Sequence, residues 1–315
     1  MRYIAELREG EMISETYLCK QKQALKTKAG KNYYSLLLQD KTGILDAKIW
    51  DLGAGIDHFE QMEYIHVDGQ VISFQGSQQL NVKRLRRSQE GEYDPADFMP
   101  MTERNIDEMY HELISLAGKV RDPFMRALVS SFFIEDKEFA AAFCRHSAAK
   151  TVHHGFIGGL LEHTLGVMRL CDYMADRYPV LNRDLLLASA LFHDIGKLKE
   201  LSYFPENDYT DEGQLLGHIY MGAEMVSERI RRIPDFPQKM ANEIIHCILA
   251  HHGELEYGSP KKPALAEALA LNLADNTDAK LQTMTELLRS SDEKGWLGYQ
   301  KLFDSNVRRT SEYGK

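Results

Sequence analysis

The run Leu185–Phe192 (Leu-Leu-Leu-Ala-Ser-Ala-Leu-Phe) is apolar on almost every side if it is helical, and His193-Asp194 follow it directly. A helix without a polar face belongs inside a protein, so this one delivers an imidazole and a carboxylate to a buried place. A buried carboxylate costs several kcal/mol unless it is paired or bound to a cation. The chain must therefore build a helical body thick enough to enclose residues 185–192, with partners for Asp194 inside it.

Those partners are legible. Nine of the twelve histidines lie between His146 and His252. His163 shares a helical face with Val167, Leu170 and Met174, and so points inward. His218 follows Leu215-Leu216-Gly217 at the start of a helix. His251-His252 end a helix beginning near Gln238, with Gly253 as its stop. Asp275 shares a face with Leu271, Ala268 and Ala264. One histidine on an apolar face is usually a satisfied core residue; five with two aspartates are a poor core but a good ligand set. Imidazole and carboxylate together suit Mn, Fe, Co, Ni or Zn. Lys197 follows Asp194 closely, where it either reaches an anionic substrate or complements a helix C-terminus. His153 and His154 precede a glycine-rich helix start, where they either contact phosphate or ribose or cap the turn. His246 faces another side of its helix and is read as structural.

The rest of the chain differs. Residues 1–87 alternate as short strands: Tyr33–Asp40, a Lys41-Thr42-Gly43 turn, Ile44–Trp50, Tyr64–Phe74 and Gln79–Val82, with a helical stretch expected near Ile56–Gln61. About five strands with glycine punctuation predict a small closed barrel whose order resembles an OB-fold. Charge divides at the same place. Residues 1–87 hold 13 basic and 11 acidic residues, whereas 88–315 hold 25 and 36, a balance of −11. The positives cluster at Lys20, Lys22, Lys26, Lys28 and Lys31 and at Lys83, Arg84, Arg86 and Arg87. With Tyr33, Tyr34, Trp50 and Phe74 they form a candidate track for a single nucleic-acid strand. Tyr33 and Tyr34 face opposite sides of their strand, so at most one can enter the barrel interior.

The expected organisation is multidomain: a small β-barrel at 1–87, a linker at 88–104, an all-α domain at 105–290 and a polar, loosely ordered tail at 291–315. No apolar run approaches the ~18 residues that cross a bilayer, so no membrane association is expected. The charged N-terminus does not read as a secretory leader, and the four cysteines form no CxxC pair; a cytoplasmic protein is expected.

His163, then His193-Asp194 within HDIGK, His251-His252-Gly253 and Asp275 resemble the HD-domain metal-dependent phosphohydrolases. With the OB-like front and the stretch Val152–Thr164, the whole chain is similar to the bacterial YhaM-type 3′→5′ exoribonucleases. The resemblance implies an HD catalytic domain and removal of nucleoside monophosphates from the 3′ end of single-stranded RNA, with single-stranded DNA as a further substrate. By position, His163, His193, Asp194 and Asp275 match the ligands of one metal. His218, His251 and His252 complete a second, with Asp194 bridging and Lys197 on the scissile phosphate. Two divalent ions per chain are implied, manganese first and Co, Fe, Ni, Mg or Zn as alternatives. The acidic and basic division makes a homo-oligomer an expectation. Two other readings are open at this point: an HD phosphohydrolase acting on a small nucleotide or cyclic dinucleotide, and a binding module with a vestigial metal site.

Overall fold

The computed structural model describes all residues except 28–29, 54, 75–76, 151–153, 290, 292 and 312–315. Lys28 and His153 lie outside the described residues. Two compact units emerge, Met1–Glu103 with Ser202–Asp208 and Arg104–Leu201 with Tyr209–Lys315.

The first unit is a closed barrel of β1 (Met12–Lys26), β2 (Asn32–Asp40), β3 (Gly43–Ile49), β4 (Tyr64–Phe74) and β5 (Ser77–Arg87), in the order β1-β2-β3-β5-β4. The long β1 closes it by pairing twice: residues 12–18 run antiparallel to β4, and residues 18–26 antiparallel to β2. A bulge between Cys19 and Gln21 lets one strand turn between the two ladders. β3 and β5 pair in parallel. This is the five-stranded OB arrangement. Alternation decides which side chains enter: Ile65, Val67 and Val71 of β4 and Leu45, Ala47 and Ile49 of β3 are all buried.

Two expectations change here. Among the described residues no helix forms over Ile56–Gln61; the segment is irregular, bridges Ile56 to Leu85 and buries Phe59 in the barrel core. The anchoring of Phe59 overrides a local helical tendency. The stretch read as linker, 88–104, belongs with the barrel unit up to Glu103. Tyr93 stacks on Tyr64 at 4.0 Å, Phe98 is fully buried, and Gln39 Nε2 donates to the Phe98 carbonyl at 3.0 Å. The half-buried Tyr93 and the buried Phe98 tie this segment down as a strap.

The second unit is helical: α1 (Ile106–Ala117), α2 (Pro123–Phe133), α3 (Lys137–Arg145), α4 (Gly159–Arg177), α5 (Arg183–Phe192), α6 (Lys197–Glu200), α7 (Asp211–Ile230), α8 (Gln238–Ala250) and α9 (Ala266–Arg289). Asp122 caps α2 through the Phe124 and Met125 amides with Pro123 at the first position, as its sequence dictates. Every residue of α5 from Leu185 to Phe192 is buried. Phe192 anchors an aromatic cluster with Phe132 at 5.2 Å and Phe133 at 6.0 Å, and Phe133 meets Phe143 edge-on at 5.1 Å. Each such pair contributes about 0.5–1.5 kcal/mol beyond burial of its area. The region read as a loose tail carries an antiparallel hairpin, β6 (Trp296–Gln300) with β7 (Ser305–Arg308). No helix among the described residues is long and apolar enough to cross a membrane.

Candidate metal centre

Five helices bring seven side chains of metal-ligating type to one buried point. His163 comes from inside α4, and His193 ends α5 with Asp194 next in the chain. His251 ends α8 with His252 next, and Asp275 lies on α9. The seventh, His218, comes from α7, at a helix start within it. Gly217 adopts φ 73° and ψ 156°, breaking the helix, and His218 begins the second half. Only glycine enters that conformation freely. Gly196, between Asp194 and α6, is right-handed (φ −62°). Its role is close approach, since a Cβ there would stand 2.0 Å from the His218 carbonyl oxygen.

The five imidazoles are oriented alike. Nδ1 of His193 faces the Ala190 carbonyl at 2.8 Å, Nδ1 of His251 the Ile248 carbonyl at 2.7 Å, and Nδ1 of His252 the Tyr257 carbonyl at 2.8 Å. Nδ1 of His163 faces Asp278 Oδ2 at 2.8 Å, and Nδ1 of His218 faces Glu200 Oε1 at 2.9 Å. These oxygens only accept, so Nδ1 donates in every case and Nε2 is the nitrogen turned to the centre. Such outer partners fix ring orientation in metal sites.

The inner atoms form two groups. His163 Nε2 lies 3.2 Å from His193 Nε2 and 3.2 Å from Asp275 Oδ1. Asp194 Oδ2 stands 3.6 Å from His163 Nε2 and 3.5 Å from His193 Nε2. The other oxygen, Oδ1, stands 3.5 Å from His218 Nε2 and 3.6 Å from His251 Nε2. His218, His251 and His252 offer ligand atoms within 4.8 Å of one another, as do His163, His193 and Asp275. Asp194 thus turns one oxygen to each group.

The electrostatics match a cation's site. Asp194 Oδ1, His218 Nε2 and His251 Nε2 are buried without a hydrogen-bond partner. An unsatisfied buried polar atom costs about 1–3 kcal/mol, and three facing one another fit a divalent ion. Burial pulls His193 down to about 4, keeping it a neutral donor; burial and the neighbouring His251 and His218 bring His252 to about 4 as well. For His163 the carboxylates of Asp275 and Asp278 outweigh burial and raise it to about 10. That proton sits where a metal would displace it.

Lys197 is where the sequence reading meets a correction. Its Nζ lies 3.0 Å from Asp194 Oδ2 and donates to the Ala148 carbonyl at 2.6 Å, on a largely buried side chain. It opens α6 rather than closing α5. The ammonium is committed to the central aspartate first. His154 is likewise buried, its Nε2 3.1 Å from Asp278 Oδ2. It stands behind the His163 ligand instead of presenting itself to substrate. His246 accepts from the Ala264 amide at 2.9 Å, a structural contact.

Three supporting residues escaped the sequence reading. Glu200 accepts from both the His218 ring and the His218 amide, the latter at 2.9 Å, so one carboxylate caps the restarted helix and aims its ligand. Asp278 sits one helical turn beyond Asp275, a spacing that was available as a signal. Asn272 donates to the His251 carbonyl at 2.8 Å. Glu200→Gln keeps an acceptor but loses the charge. It is expected to weaken metal binding about 10–100-fold, the range for such outer partners, measured by calorimetric Mn²⁺ titration.

Residues 160–280 match the HD domain family. Over 285 residues the chain is 32% identical to the 3′-5′ exoribonuclease YhaM of Listeria innocua, covering 89% of both chains. It is 34% identical over 284 residues to that of Bacillus velezensis, covering 89% of this chain and 88% of the relative. This chain belongs to the YhaM 3′-5′ exoribonuclease family. It is a hydrolytic nuclease, and its HD domain implies dependence on a divalent metal. The second OB-fold domain of replication protein A from Methanococcus maripaludis is similar at 19% identity over 30% of this chain and 98% of that one, with a TM-score of 0.24.

On the barrel of this YhaM-family chain the expected strand-binding residues divide. Tyr33 stacks on Trp50 at 4.6 Å, and Trp50 and Phe74 are exposed. Lys26 and Lys83 are exposed too, and Arg84 lines a cavity with His66, Asp68 and Arg86. Tyr34 instead packs against the barrel core beneath Lys22. Lys22 donates to the Phe59 carbonyl at 2.5 Å and lies over the Tyr34 and Phe59 rings, so it holds the Ile56–Gln61 segment in place. Arg86 pairs with Glu92 at 2.7 Å and Arg87 with Glu63 at 2.8 Å; Lys31 lies 3.5 Å from Asp51 at an exposed position. Lys20 lies on β1.

Proposed function

We propose that the chain hydrolyses single-stranded RNA stepwise from the 3′ end, releasing nucleoside 5′-monophosphates, with single-stranded DNA as a weaker alternative substrate. Two divalent ions per chain, manganese first, complete the site. The observation that carries this reading is the division of Asp194, with one oxygen toward His163, His193 and Asp275 and the other toward His218, His251 and His252. That division suits a carboxylate shared between two ions. Ions held there supply Lewis-acid charge to the phosphoryl oxygens and lower the pKa of water.

The remaining work falls to the chain's own residues. Five neutral imidazoles and two carboxylates leave a pair of divalent ions net positive, which favours a phosphodiester over a neutral ligand. Asp278 and Glu200 hold His163 and His218 in register. Lys197 balances Asp194 and fixes the Ala148 carbonyl. On the barrel, bases stack on the Tyr33–Trp50 pair and Phe74 while Lys20, Lys26, Lys83 and Arg84 face phosphates. Such contacts are tolerant of sequence and sensitive to salt. A cytoplasmic homo-oligomer belongs to the same reading, checked by light scattering.

The deciding assay feeds the protein a 3′-labelled and a 5′-labelled oligoribonucleotide with Mn²⁺. Early labelled monophosphate from the 3′-labelled strand alone is expected. Turnover of mononucleotides or cyclic dinucleotides with inert oligomers would hand the site to the small-nucleotide reading. Trp50→Ala should weaken binding of single-stranded RNA about 5–160-fold, following the ~1–3 kcal/mol of a stacked base; filter binding reads it.

A further inference from the structure

The hairpin β6–β7 has one face turned inward and one turned out. Gly298 pairs with Val307, which is buried, so that face packs on the unit. Cross-strand partners share a face. Trp296 pairs with Arg308 and Tyr299 with Asn306, so these four side chains share the opposite face. All four are exposed, Trp296 at 65% and Tyr299 at 60%. Lys294 and Lys301 flank them, also exposed. The hairpin is pinned in this attitude by Arg309, whose guanidinium donates to the Glu293 carbonyl at 3.1 Å, the Ser291 carbonyl at 2.8 Å and the Leu288 carbonyl at the end of α9. Asp304, which accepts from the Tyr299 hydroxyl, is the one acid between residues 294 and 311.

Two large rings on a fixed β-ribbon, edged by three cations, stand out in a part of the chain whose balance is −11. Exposed rings alone would suit a protein partner as well. Cations alternating with them, against an acidic background, complement a polyanion with free π-faces. We propose that this face is a second contact for single-stranded RNA, bases stacking on Trp296 and Tyr299 and phosphates meeting Arg308, Lys294 and Lys301. The proposal rests on the RNA reading above and adds a site outside both the barrel and the metal centre.

The chain has two tryptophans, so Trp50→Phe leaves Trp296 as the sole indole reporter. Titrating that full-length variant, with Mn²⁺ present, with an oligoribonucleotide made resistant by phosphorothioate linkages should quench Trp296 emission. In the otherwise unaltered chain, Trp296→Ala with Tyr299→Ala should raise Kd at least about tenfold, and Arg308→Ala should reduce the salt slope by about one. The mass by light scattering should stay unchanged in each. Unquenched emission with RNA bound, or an unaltered Kd in the double variant, overturns the proposal. A fall in mass on substitution overturns it in favour of a subunit interface. Failure of the unaltered chain to bind the oligomer at all overturns the RNA reading itself, which separates the two failures.

Discussion

Asp194→Ala is expected to abolish nuclease activity and metal binding together. Its two oxygens address both groups, Oδ2 within 3.6 Å of His163 and His193 and Oδ1 within 3.6 Å of His218 and His251. Removing a ligand from one group alone leaves the other group's donors in place; removing Asp194 deprives both. The fall in activity should exceed the ~100-fold ceiling of residues that merely orient ligands. Elemental analysis after dialysis should find neither ion at stoichiometric level. Full retention of both ions would falsify the shared-carboxylate arrangement, whatever happened to turnover.

Lys197→Met is expected to produce the second largest effect, and on stability rather than chemistry. Burial works against the ammonium, but Asp194 beside it more than compensates and raises its pKa; Asp194 in turn is held well below the usual carboxylate range. Breaking a buried pair by removing one partner typically costs about 3–5 kcal/mol, because the other charge is left uncompensated. In EDTA the melting temperature should therefore drop clearly. With Mn²⁺ the loss should shrink by more than half, since bound cations then compensate Asp194. Calorimetric melts of both proteins in both buffers decide it. An equal loss with and without metal would reduce Lys197 to packing around the Ala148 carbonyl. Had the lysine been turned toward substrate, as its position after HDIG suggested, metal would leave its stability contribution untouched.

How much of this was readable beforehand depended on range. The buried helix α5, the change from strand to helix near residue 105, the barrel and the seven converging histidine and aspartate side chains follow from patterns spanning a few residues to a turn or two. Period-two burial in β3 and β4 and the Asp122-Pro123 helix start are local physics, and they came through. The misses share a cause. Ile56–Gln61 looked helical because nothing in its own six residues reports that Phe59 is needed in a barrel core. Lys22 looked like a phosphate contact because a lysine's sequence neighbours do not reveal the carbonyl and two rings across the barrel that receive it. The 291–315 stretch looked like a tail because an arginine 16 to 21 residues along the chain from its carbonyl partners gives no periodic signal.

The linear chain by itself determined that imidazoles and carboxylates had to be buried together, since no apolar helix can end in His-Asp without partners for the charge. Only the tertiary structure decided which oxygen of Asp194 serves which group, that Glu200 and Asp278 aim the rings, and that Lys197 is held inward. Residue type and period are set by neighbours along the chain. The direction of a lone pair is set by packing between helices far apart in sequence, and that direction separates a ligand from a filler.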